Sequence, residues 1–399
     1  MLLGAYDRFN YGDLLFPHVI RRELSLHDGD LVYLVHALVA SDMSRWGGLP
    51  TESLRRLMRR FGSDDRVPVV FAGGGLFGAS WKGMLANLFG PRSNMMLYYA
   101  SRLLGHRRVE AMAAKWLGGR SPHPWIMSPF QFPFEASVHY NAVGGSELAQ
   151  MPSDRRKSAM SALSDAAYLS VRDDETARLL APLADKVDVH LAPDSAVLVS
   201  EQYTLANLEQ EVRPQIRSLV AAATPYLCFH AAPNYVEAFE DSICRQIEEI
   251  CRREGLRCML LPIARYSGLE DATGLARLRK RVKTPTILAG TDTTIEEIMY
   301  LIAKSAVFCG TSLHGNITAQ SFAVPHVGLS LRPCKVDYYL RSWDISEQAL
   351  CPPIDDLARI LRRSFSVPEK RRQDLRRELI ALSRNNFARL YNAVRVGKA

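Results

Sequence analysis

An α/β architecture, with parallel sheets covered by helices on both faces, is what this chain of 399 residues predicts. Three observations carry that prediction. Apolar runs of strand length alternate with segments of helical periodicity along nearly the whole chain. The alternation comes as two series, parted by a polar, strand-poor stretch at 200–224. Within the second series, residues 307–329 read as strand, loop, helix and strand in direct succession.

The first series predicts strands at 2–6, 30–36, 67–72, 125–129, 168–172 and 187–191. The second predicts them at 226–230, 258–263, 286–289, 306–309 and 326–329. Helices fall between. Residues 237–254 place Phe239, Ile243, Ile247, Ile250 and Cys251 on one face. Residues 295–304 follow Asp292-Thr293-Thr294, a start of N-cap type, and 173–183 opens with acidic residues. The tail from 368 to 396 is a long basic amphipathic helix that could fold back on the first domain. These series give domains of 1–200 and 201–367, followed by a basic helix within 368–399.

Composition is that of a globular protein, 47% hydrophobic and 23% charged. No apolar span reaches the ~20 residues that cross a bilayer. The first residues lack the basic-then-apolar layout of a secretory signal. The seven cysteines, Cys228, Cys244, Cys251, Cys258, Cys309, Cys334 and Cys351, show no CxxC pair and no zinc spacing. Reduced thiols in a cytoplasmic protein fit that pattern. Net charge is +8. Basic residues cluster at Arg55-Arg56 with Arg59-Arg60, at Arg102 with Arg107-Arg108, and at Lys370-Arg371-Arg372 with Arg376-Arg377. Each cluster alone reads as a solvated helix face; together they would suit anionic lipid headgroups or a phosphate-bearing substrate. A nucleic-acid partner is not expected, because no zinc finger, RNP motif or recognition helix is visible.

Five motifs fall at strand ends, where parallel α/β sheets bind ligands. Asn10-Tyr11-Gly12-Asp13 follows the first strand; Gly12 permits a tight or left-handed turn and Asp13 can cap the next helix. Gly73-Gly74-Gly75 follows the third, freeing backbone N–H groups for an anion or sugar. It is neither a P-loop nor a dinucleotide fingerprint. Arg172, at a strand end before Asp173 and Glu175, either pairs with those neighbours or holds a carboxylate or phosphate. Asp194 is equally readable as a helix cap or a ligand contact. His314 stands with Ser312, Leu313 and Gly315 where a strand gives way to a helix, and Lys335 offers a cation to the same pocket. His123, His139, His190 and His230 lie in or near apolar runs and read as core or rim residues. No metal-ligand spacing is present.

In this order, Asn10-Tyr11-Gly12-Asp13, Gly73-Gly74-Gly75, Arg172-Asp173, Asp194-Ser195-Ala196 and Leu313-His314-Gly315, the motifs resemble the polysaccharide pyruvyl transferase family, from residue 4 to about 340. The resemblance implies a fold like that of GT-B glycosyltransferases, two Rossmann-like domains facing across a cleft. It also implies transfer of pyruvate from phosphoenolpyruvate, with no separate cofactor, onto two hydroxyls of a sugar to form a cyclic ketal. The first domain would hold the acceptor and the second the donor. Arg172 and His314 would contact or activate phosphoenolpyruvate, with Ser312, Leu313, Gly315 and Lys335 beside it. Asn10, Gly12, Asp13, the three glycines and Asp194 would line the acceptor side or the cleft. The expected acceptor is a lipid-linked oligosaccharide at the inner face of the cytoplasmic membrane, with peripheral contact to anionic lipid. Many family members carry arginine where this chain has Ser312, which leaves one donor charge unassigned. The rival readings are a GT-B glycosyltransferase using a nucleotide-sugar, for which Glu296-Glu297 are weak ribose-binding candidates, and a non-catalytic carbohydrate-binding relative.

Overall fold

A computed structural model describes residues 1–223, 225–266 and 269–396. Its two main sheets are wholly parallel. In the first, β1 (Leu2–Leu3), β2 (Val35–Ala37), β3 (Glu52–Ser53), β4 (Arg66–Ala72), β5 (Glu135–Val143), β6 (Tyr168–Val171) and β7 (Val189–Leu191) pair in the order β3-β2-β1-β4-β5-β6-β7. In the second, β8 (Tyr226–His230), β9 (Arg257–Leu260), β12 (Thr286–Leu288), β13 (Val307–Gly310) and β14 (His326–Gly328) run β12-β9-β8-β13-β14. Between β9 and β12 lies a short antiparallel ribbon, β10 (Arg265–Tyr266) and β11 (Leu269–Glu270).

The central strands are buried on both faces, as helices on either side require. The two halves share one core. The helix Tyr11–Ser25 packs Leu14, Phe16 and Ile20 into the same cluster as Ile298, Ile317 and Tyr339 of the second half. Tyr11 Oη and Thr318 Oγ1 hydrogen-bond at 2.7 Å across the junction. The backbone joins as well: Arg265 N donates to Phe9 O at 3.1 Å, and Tyr11 N to Ile263 O at 3.3 Å. The helix Glu369–Val396 lies on the first sheet, where Asn386 Nδ2 donates to Asn141 Oδ1 at 2.6 Å and Tyr168 Oη donates to Asn386 Oδ1 at 2.7 Å.

Several expected elements differ. Residues 125–129 form no strand; Trp125, Ile126 and Met127 are buried in an irregular segment instead. Prolines at 124, 129 and 133 remove ladder donors there. The strand of that region is β5, whose buried His139 and Asn141 broke the apolar signal. The strand expected at 30–36 shrinks and shifts to β2, that at 2–6 shrinks to β1, and the edge strand β3 was not expected. The 200–224 stretch holds three helices, Val199–Gln202, Leu205–Glu211 and Pro214–Ala223. Helices expected at 295–304 and 173–183 form as Ile295–Ala303, with a Thr294–Glu297 capping box, and Asp174–Leu180 with a 3-10 turn behind it.

Candidate active site in the cleft between the sheets

The carboxyl ends of β1 and β4 face those of β8 and β13 across a cleft of about 430 Å³. From the first half it is lined by Arg8, Asn10, Asp13, Gly74, Gly75 and Glu147. The second half contributes His230, Asp271, Ser312, Leu313, His314 and Lys335. Of the candidates named from sequence, Gly12, Gly73, Gly315, Arg172 and Asp194 stand behind this lining rather than on it.

His314 sits in the first turn of the helix Leu313–Ser321, just after β13. Ser312 caps that helix, its Oγ accepting from Gly315 N at 3.2 Å, and Asn316 Nδ2 ties the turn to Gly310 O at 3.0 Å. The imidazole meets Phe16 edge to face at 5.3 Å. Its Nε2 lies 3.6 Å from Asp194 Oδ2, with no closer partner among the described residues.

Gly12 is helical; it makes no turn. Its value is the missing side chain, because a Cβ there would lie 1.7 Å from His314 Nδ1. Gly12→Ala should therefore displace the imidazole, costing about 1–3 kcal/mol of stability and at least ~10-fold in activity. Denaturant midpoints and initial rates measure both; an unchanged rate would show that the ring's position is unimportant. Asp13 is likewise not a cap, since Asn10 holds the N-cap position. Asp13 lies half-buried in the first turn with its carboxyl toward the cleft. Burial pushes that carboxyl up, against the opposing pull of His314, Arg8, Lys335 and Arg172.

Of the three glycines, Gly73 has φ +128°, a conformation that favours glycine, and this turns the chain away from β4. A Cβ on Gly74 would lie 3.4 Å from Asp13 Oδ1, 3.8 Å from His314 Cε1 and 3.9 Å from Arg172 Nη1. The backbone at Gly74 is thus where the two halves bring their titratable groups together.

Arg172 was expected either to pair with Asp173 or Glu175 or to hold a carboxylate or phosphate, and its ion pair is with neither neighbour. Glu175 pairs with Arg178, and Asp173 caps its helix by accepting from Thr176 N at 2.8 Å. Arg172 Nη1 donates instead to Asp194 Oδ2 at 2.8 Å, with both side chains fully buried. A Cβ on Gly144 would lie 2.7 Å from Arg172 Nε, so the glycine after β5 makes room for the guanidinium. Asp194 both caps, accepting from Ala196 N at 3.0 Å, and joins Arg172 to His314. Burial alone would raise its pKa; His314, Arg172 and the Ala196 N–H outweigh burial and hold it down to about 2.

Sequence reasoning missed Arg8, Glu147 and the pair His230–Asp271. His230 Nε2 and Asp271 Oδ2 are 2.9 Å apart, and the same oxygen accepts from Ile263 N and Ala264 N at 3.0 and 2.7 Å. The available signal was position, because His230 ends β8 beside β13 and His314. Lys335 opens the helix Lys335–Trp343 at the cleft's exposed rim.

Two parallel sheets sharing a cleft at their carboxyl ends define the class: a two-domain α/β protein of GT-B-like fold. Two structures of the UDP-GlcNAc 2-epimerase from Methanocaldococcus jannaschii are similar. One, in complex with UDP-GlcNAc and UDP, is 11% identical, with 92% of this chain and 94% of that chain covered and a TM-score of 0.51. The other is 12% identical, with 92% of each chain covered and a TM-score of 0.51. Comparison with curated proteins finds no match. The family model for polysaccharide pyruvyl transferase matches residues 134–333, half of the chain, and the chain belongs to that family.

Proposed function

We propose that this protein transfers pyruvate from phosphoenolpyruvate onto two hydroxyls of a glycan, forming a cyclic ketal and releasing phosphate. The observation that carries this reading is the meeting of His314, Asp13 and several cations in one cleft between the sheets. Phosphoenolpyruvate brings a carboxylate and a phosphate. Lys335 and Arg8, whose Nε is held by Asp7 Oδ1 at 3.0 Å and whose remaining guanidinium edge lines the cleft, supply charge for them, and the N-terminus of the helix Leu313–Ser321 adds N–H groups. Arg8 is the residue we assign to the donor charge that Ser312 does not provide. His314 delivers a proton to the methylene carbon, which becomes a methyl group and leaves C2 electrophilic. One acceptor hydroxyl then bonds to C2, and the second displaces phosphate. The two hydroxyl protons pass to bases, for which His230, backed by Asp271, faces the same cleft. Arg172 acts behind the wall, holding Asp194 against His314 as a positioning residue.

Glu296 and Glu297 do not favour a nucleotide-sugar reading. Glu297 binds Arg213 and caps its own helix, Glu296 stands against Gly47, and neither lines the cleft.

The decisive assay is phosphate release and product mass with phosphoenolpyruvate and an acceptor glycan, set against a panel of nucleotide-sugars. Phosphate release coupled to a pyruvate ketal is expected, with Arg8→Ala raising KM for phosphoenolpyruvate about 10-fold or more. Turnover of a nucleotide-sugar, with none of phosphoenolpyruvate, would replace this reading by the glycosyltransferase one.

A further inference from the structure

Between residues 81 and 120 the chain carries seven Lys or Arg and a single Glu. The segment folds into three helices, Trp81–Phe89, Pro91–Leu104 and His106–Leu117. They close on a small core of Ala86, Leu97 and Val109, which leaves much of their apolar surface outside. Eighteen large apolar side chains are exposed among the described residues, and nine of them lie here. Leu103 is 83% exposed and Met96 68%. Tyr98 and Tyr99 stand beside them, and Phe89 meets Trp116 edge to face at 5.0 Å, so the first and third helices share one apolar face. Soluble proteins rarely leave such a patch uncovered.

Cations surround this face. Arg102 lies against Tyr98, its Cζ 5.9 Å from the ring centre. Arg108 and Lys115 are exposed nearby. Arg55 Nη2 donates to the carbonyls of Lys115 at 3.2 Å and Trp116 at 2.5 Å. That contact brings the helix Leu54–Arg60 against the end of the third helix; within these two basic clusters Arg56 and Arg60 pair with Glu52, and Arg107 pairs with Asp154. In the tail, Arg371 pairs with Glu347, Arg376 with Glu201 and Arg377 with Asp374, and Arg372 bonds the carbonyl of Ala323. Its charge is largely matched within the fold.

We propose that the face formed by residues 89–116 docks on an anionic membrane. Aromatic rings at headgroup depth, Leu and Met at the acyl boundary and a rim of Lys and Arg are what such a surface takes up. A second copy of the chain fits less well, since it would bring two strongly basic faces together. The helix Trp81–Phe89 also lines the cleft through Met84 and Asn87, so docking sets the cleft beside the lipid surface. That the cleft there meets a lipid-carried glycan rests on the pyruvyl-transfer reading; the docking itself does not.

The test is sedimentation of the full chain with vesicles of phosphatidylcholine, with and without phosphatidylglycerol, at low and high salt. Binding is expected only with phosphatidylglycerol and should weaken as salt rises. Tyr99→Glu/Leu103→Glu and Arg102→Glu/Arg108→Glu should each weaken it at least ~10-fold, and Lys370→Glu/Arg371→Glu in the tail should leave it unchanged. Equal binding by the Tyr99→Glu/Leu103→Glu variant, no binding by the native chain, or a solution dimer dissolved by that variant would overturn the proposal. Phosphate release with a water-soluble acceptor is measured in parallel. Vesicle binding without phosphate release leaves the docking standing and removes the transfer reading.

Discussion

His314→Gln should lower pyruvyl transfer about 10²- to 10⁴-fold while leaving the fold intact, the loss typical of removing a positioned acid or base. The argument is geometric first. The imidazole is fixed on three sides: by Phe16 at 5.3 Å, by the bare backbone of Gly12, and by Asp194 Oδ2 at 3.6 Å. Its Nε2 has no hydrogen-bond partner among the described residues. Asp194, held ionised, faces that nitrogen at 3.6 Å and fixes the ring's orientation in the cleft. Glutamine keeps most of the volume and polarity but carries no transferable proton. Binding of phosphoenolpyruvate, followed by thermal shift, should change little, because in the proposed reading its charges fall to Arg8 and Lys335 rather than to His314. Equal turnover by native and variant protein would remove His314 from the chemistry.

How the site reads in sequence depends on which partner each residue needs. His314, Gly74 and Lys335 were legible as cleft residues because each follows a strand at the sheets' carboxyl ends, and all three line the cleft. Gly12 was legible as a glycine but not in its reason; the clash it avoids lies 302 positions away, with His314. Arg172 was read against Asp173 and Glu175, carboxylates that its local sequence offers. Its true partner, Asp194, is supplied by tertiary packing of the loop after β7 against the end of β6. His230 looked like core for the same reason, since its carboxylate comes from Asp271, 41 residues on.

The fold was more legible than its strand bounds. Two parallel sheets follow from apolar runs alternating with helical patterns, and tertiary context does not undo that periodicity. β5 escaped because it is a central strand carrying buried His139 and Asn141. Asn141 is satisfied by Ser195 Oγ at 3.0 Å and by Asn386 of the C-terminal helix at 2.6 Å. A polar residue in a core strand, bonded by a helix 245 positions away, has no local signature.

The buried pair behind the site should dominate stability. Arg172→Ala should destabilise the protein by about 3–5 kcal/mol at neutral pH, because Asp194 is then left as a buried carboxylate without its cation. Asp194→Ala strands the guanidinium in the same way. The double variant should recover much of either loss, since removing both partners costs less than orphaning one. The pH dependence fixes the sign. Asp194's folded pKa, about 2, lies below its unfolded value of about 4. Its stabilisation is therefore full above pH ~4 and disappears as pH falls toward ~2. In Arg172→Ala, burial acts on the carboxyl with less opposition, so its pKa rises. The variant should accordingly gain stability relative to the native protein on mild acidification, where Asp194 can take a proton and lose its uncompensated charge. Denaturant titrations of the native and three variant proteins at pH 7, 5 and 3 (roughly spanning the carboxylate range) measure this directly. Parallel pH curves for native protein and Arg172→Ala would show that Asp194 is not the group whose charge Arg172 holds. Even where these variants stay folded, turnover should fall with them, because the carboxylate they perturb is the one facing His314 Nε2.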